Sequence, residues 1–132
     1  MATSISKYYK EELAEWNNTI LFYRNELGEL GVKLSEVIRR NSIVGIAKMV
    51  ENYQLKLNQA SDIFYKLQVQ MQQQEASLKT DSTLIDDRLV NDEIEQRQVE
   101  LRGKMHEPEN EYIDVKFDCY NFLSKTLKKR KE

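Results

Sequence analysis

Turn formers are scarce in this chain of 132 residues, which has four glycines and one proline. That shortage excludes a fold of many short strands joined by tight turns and leaves a few long elements. Cys119 is the only cysteine, so no intramolecular disulfide can form and nothing points to an oxidising compartment. No apolar run approaches the roughly 20 residues of a membrane span. The run from Met1 to Trp16 mixes Lys, Glu and Tyr without an apolar block, so a soluble, cytoplasmic protein without membrane contact is expected. Neither sign of charge dominates: 20 Lys and Arg face 22 Asp and Glu, for a net charge of −2. This balance removes both the one-sided charge of a disordered chain and the broad basic face of a nucleic-acid binder.

Helix formers are present in quantity, and the apolar residues, 40% of the chain, are regularly spaced. Tyr9, Leu13, Trp16, Ile20, Tyr23, Leu27, Leu30, Leu34 and Val37 follow one another in steps of four and three. An average step near 3.5 is the seam of a helix packed against others, and it predicts a first helix over about residues 5–40. Arg39-Arg40-Asn41-Ser42 then combines cations suited to a last turn with residues suited to cap the next helix. A second seam through Ile43, Ile46, Val50, Tyr53, Leu57, Ala60, Phe64, Leu67 and Met71 predicts a helix over about 43–79. The short connection makes these two helices antiparallel neighbours.

Lys79-Thr80-Asp81-Ser82 repeats the stop-and-cap pattern. The third seam is weak at Leu84, Ile85, Leu89 and Val90, then regular through Ile94, Gln98, Leu101, Met105, Pro108, Tyr112, Val115, Cys119 and Phe122. It predicts a third helix over about 82–128. Pro108 must kink or break it, since an interior proline loses a hydrogen bond and crowds the preceding turn. The unchanged seam phase across Pro108 favours a kink; the alternative is a fourth helix opening at Glu107-Pro108-Glu109, where proline and acids suit a first turn. The expected fold is all-α, one domain over 1–132, an elongated antiparallel bundle of three coiled-coil-like helices.

Chemistry is harder to find. A metal site in a helical bundle needs a Glu-x-x-His motif on each of two helices. Here His106 is the only histidine and Gly103 stands three residues before it. The acids fall mostly off the seams, where they form a solvated face, and Cys119 lies on a seam, where a thiol is buried and inert. Gly28, Gly31, Gly45 and Gly103 are isolated within helical patterns and make no phosphate loop. No catalytic residue, cofactor or metal ligand is expected. The basic run from Lys125 to Lys131 is accounted for by the negative end of a helix dipole, which disfavours a nucleic-acid role.

What remains is surplus apolar surface. Beside its seam, the last helix carries a second apolar line through Ile113, Phe117, Tyr120, Leu123 and Leu127. A helix apolar on two faces must be covered on two faces. Leu21, Phe22 and Val32 of the first helix are off-seam residues that could supply cover within a monomer; otherwise the line is an interface. The leading expectation is therefore a non-enzymatic protein that acts by contact with another protein or by self-association, most simply as a dimer. The alternative is a small-molecule or regulatory binding module with a pocket between helices near the proline and the glycines.

Overall fold

The computed structural model describes residues 4–40, 45–79 and 84–130, with side chains described as far as Thr126. Helix α1 runs Ile5–Arg40 and α2 runs Ile46–Ser77. The third helix has two segments, α3 over Asp92–Lys104 and α4 over His106–Arg130. Among the described residues there is no strand, only an isolated bridge between Lys79 and Ile85. The fold is the expected all-α bundle of three helices with the third bent. At 36 residues, α1 is about 54 Å long.

Partners along the seams give the directions. Asn17 meets Gln68 and Ser35 meets Gln54, so α1 and α2 run antiparallel. Glu12 meets Arg102, Tyr23 meets Glu109 and Glu26 meets Lys116, so the third helix returns parallel to α1. The seam residues close into one core, in which Ile20, Leu34, Val37, Val50 and Phe64 are fully buried. Trp16, expected in that core, is half-buried at its edge.

Two helix starts differ from expectation for local reasons. Gly45 has φ +92°, a left-handed conformation that glycine adopts without strain and that an α-helix does not contain. It therefore sets the start of α2 at Ile46 rather than Ile43. The expected caps Asn41 and Ser42, and Thr80 to Ser82, lie outside the described residues.

The third helix begins at Asp92, ten residues later than its apolar spacing suggests. The acids before it take side-chain bonds, one local and one to the start of α1, that compete with helix formation. Asp86 accepts from the Arg88 N–H and caps a single 3-10 turn, Asp87–Leu89, while Asp87 accepts from the Ser6 N–H at 2.9 Å and ties the connection to the start of α1. Asn91 then caps α3 by accepting from the Ile94 N–H at 2.9 Å. Asp92, Glu93 and Glu95 occupy the first turn, where the helix dipole favours acids.

The third helix bends by 19° at Met105. Pro108 is the cause: it has no N–H for the Lys104 carbonyl, and its ring crowds that carbonyl, so the helix yields one turn upstream. The ladder resumes with the Glu109 N–H donating to the Met105 carbonyl at 3.3 Å.

Candidate interaction surface and inter-helix crevices

The α4 line expected at an interface divides on folding. Phe117 is 60% exposed, Ile113 40% and Tyr120 38%, whereas Leu123 is 4% exposed. Leu123 belongs to the intramolecular core, a correction to its place on the surface line: with Phe122 and Thr126 it forms the buried end of α4. The side chain of Leu127 lies outside the described residues. Leu21, Phe22 and Val32, the candidates for internal cover, are themselves 50%, 58% and 62% exposed.

The position of this ridge follows from how α4 is seated on α1. The Tyr23 and Tyr112 rings stack with centroids 4.2 Å apart, and Phe64 lies 5.4 Å from Tyr23. Burial and a hydrogen bond to Glu109 at 2.6 Å push the Tyr23 hydroxyl up to about 12, so it remains a donor at neutral pH. Lys116 is held against α1 by Glu26 at 3.0 Å, and Lys33 of α1 lies over the Tyr120 ring. Helical phase then places Ile113, Phe117 and Tyr120 on the flank of α4 just outside this contact. Because Tyr23 stacks on Tyr112, Phe22 of α1 stands at the height of Ile113. The α4 stripe also holds Asn110, Asn121 and Ser124, and the exposed Asp114 borders it.

The other side of the bundle is polar within. Gln98 is 0% and Gln74 1% exposed, both at core positions. Gln98 Nε2 donates to the Tyr9 carbonyl and to Glu12 Oε1, and Gln98 Oε1 accepts from Gln74 Nε2 at 3.0 Å. Gln74 Nε2 also donates to the Ile94 carbonyl at 2.8 Å. Arg102 grips the Glu12 carboxylate with two nitrogens, at 2.8 and 2.7 Å. Burial alone would raise the Glu12 carboxyl, but the hydrogen bonds from Arg102 and Gln98 outweigh it and hold the group below its usual range.

Two grooves follow from missing side chains. Between α1 and α2, a groove of about 490 Å³ is lined by Arg24, Gly28, Gly31, Ser35, Gln54 and Ser61, among others. A Cβ at Gly28 or Gly31 would meet nothing within 4 Å, so close approach of a neighbouring helix is not what calls for glycine there. Between α2 and the bent third helix, a small cavity of about 120 Å³ beside Gln74 and Arg97 adjoins a wider one of about 540 Å³ beside Ile63, Leu67, Gly103 and Pro108. Gln70, Glu100 and Lys104 line both, so the two adjoin as one crevice, crossed where they meet by the long exposed contact in which Lys104 Nζ donates to Gln70 Oε1 at 3.4 Å.

Cys119 is fully buried, and burial pushes its thiol up to about 11, so it is protonated at neutral pH. Among the described residues no three His, Cys, Asp or Glu side chains are placed to hold a metal ion, and no helix is long and apolar enough to cross a membrane. The basic run ends in side chains outside the described residues, from Lys128 on. The buried glutamine layer was legible only in part: Gln98 sits on the predicted seam, but its partners Tyr9 and Glu12 are more than eighty positions away. No family model, no curated protein and no solved structure matches the chain.

Proposed function

We propose that this chain is a non-enzymatic helical-bundle protein that works through protein–protein contact, and that the contact made by the α4 ridge is with a second copy of itself. The observation that carries this reading is the exposure of Ile113, Phe117 and Tyr120 on one helix flank, with Phe22 also exposed at a similar height on α1. Large apolar side chains grouped on one face mark interaction surfaces, whereas scattered ones need no explanation. A two-fold contact sets a stripe against its own copy. A stripe charged at its centre would repel itself in that arrangement, whereas Ile113, Phe117 and Tyr120 are uncharged and the charges of Asp114, Lys33 and Lys116 stand at their border.

Light scattering on the full chain tests the reading. The wild type is expected to have the mass of a dimer, and an Ile113→Glu, Phe117→Glu double variant that of a monomer with unchanged helix content. Both positions are exposed, so the substitutions do not disturb the core. A monomeric wild type, or a folded double variant as associated as its parent, contradicts it.

A further inference from the structure

We propose that the crevice between α2 and the bent third helix is a binding site for a small neutral amphiphile, with a hydroxyl head at Gln74 and Arg97 and a hydrocarbon chain along Leu67, Ile63 and Pro108. This goes beyond the contact surface on α4 and does not depend on it.

The head-group chemistry is dictated by two buried atoms without hydrogen-bond partners, Gln74 Oε1 and Arg97 Nε, whose residues line the same 120 Å³ cavity. The direction of the Gln74 amide is not arbitrary. Glu12 Oε1 and the Tyr9 carbonyl are acceptors, so the Gln98 NH₂ must face them. Gln98 Oε1 then faces Gln74, and the Gln74 NH₂ must face it and the Ile94 carbonyl. The Gln74 oxygen is left turned away from that chain of bonds, an acceptor without a donor. Arg97 Nε–H is the reverse, a donor without an acceptor.

A group that satisfies both must give one hydrogen bond and accept another. A carboxylate accepts only and an ammonium donates only, whereas a hydroxyl does both at one atom. The rest of the crevice suits an uncharged, partly apolar molecule. Ile63, Leu67 and Pro108 supply apolar wall, and in this wider part the cations Lys66 and Lys104 are offset by Glu100 and Glu107, which leaves the Arg97 guanidinium as the surplus charge of the crevice. Leu67 lies two turns of α2 from Gln74, about 10 Å, which a medium-length chain spans. The site is open because of two residues the packing would otherwise not favour: Pro108 bends the third helix beside it, and Gly103 presents no side chain, with nothing within 4 Å of where its Cβ would stand.

The test is a titration of the ¹⁵N-labelled full chain with 1-hexanol, hexanoate and hexylammonium, read at the Gln74 side-chain amide and the Arg97 Nε–H. 1-Hexanol is expected to give saturable shifts at both groups, with each ion at least tenfold weaker. Gly103→Leu fills the crevice at a position with room for a side chain, so it is expected to keep or raise the melting temperature while weakening 1-hexanol at least tenfold. Gln74→Leu is expected to remove the preference for the alcohol over the two ions. The absence of saturable shifts with 1-hexanol overturns the proposal, as does a folded Gly103→Leu chain that binds it unchanged. Contacts from water to the Arg97 Nε–H that persist at the highest 1-hexanol concentration also overturn it, by showing a hydration site only.

Discussion

Before the bend at Met105 the third helix meets its neighbours through Ile94, Gln98, Leu101 and Arg102; after it, through Tyr112, Cys119, Phe122 and Leu123. The first region buries glutamines and an ion pair between helices, and Val99 is its one large apolar side chain left outside. The second buries stacked rings and leaves Ile113, Phe117 and Tyr120 in solvent. Directional bonds at Gln74, Gln98 and Glu12 are satisfied at one height only, so they fix how the three helices are aligned lengthwise. Aromatic packing supplies stability with less demand on register. In this chain the aromatic region also carries the surplus that an assembly would cover.

The largest expected effect lies in the aromatic region. Phe64 is fully buried against Tyr23 and Tyr112, and Phe64→Ala is expected to cost about 3–5 kcal/mol in urea unfolding. A loss no larger than that of an exposed substitution would show that the rings do not form the main core.

The polar region is expected to respond differently. Gln98→Leu alone leaves groups around it without their bonds and is expected to cost about 1–3 kcal/mol. The Gln74→Leu, Gln98→Leu pair removes two partners together and is expected to cost less than the single change, as judged by a double-mutant cycle from the same unfolding curves. Additive losses would mean that each glutamine stabilises the fold on its own.

Acid separates the regions further. The Glu12 carboxyl is lower in the folded protein than its ordinary 4.5, so it contributes stability that is fully present above 4.5 and lost as pH falls through the folded value. Glu12→Gln is expected to flatten this acid dependence of the melting temperature, by about 1 kcal/mol or less because Arg102 is 41% exposed and screened by solvent. An unchanged slope would remove Glu12 from the acid response. The smallest effect is a gain: Gly28→Ala, with open space around the new methyl group, is expected to add about 0.4–1 kcal/mol, seen as a higher thermal midpoint.

How much of this could be read from sequence depends on whether the signal is local. A spacing near 3.5 suffices for the three seams, and Pro108 announces the bend because the seam keeps its phase on both sides. The start of the third helix is misplaced because Leu84, Ile85, Leu89 and Val90 fall at helix-like intervals, whereas the local cap at Asp86 and the bond from the distant Ser6 to Asp87 hold the chain out of the helix. The useful signal was Asn91 followed by three acids in the next four positions. Leu123 lies on the surface line by spacing but is drawn inside by the third helix's seat on α1 and α2. The partner of Gln98 and the isolation of Gln74 Oε1 depend on residues of three helices, and no single stretch of sequence contains them.

A dilution series on the full chain, followed by backbone and methyl NMR, tests most directly the claim that one region of the bundle assembles and the other does not. The expected result is concentration-dependent shifts confined to Phe22, Ile113, Phe117, Tyr120 and their immediate neighbours, with Ile94, Gln98 and Leu101 unchanged. Shifts centred on the α3 segment, or none anywhere across a hundredfold change in concentration with the mass of a monomer throughout, would contradict it.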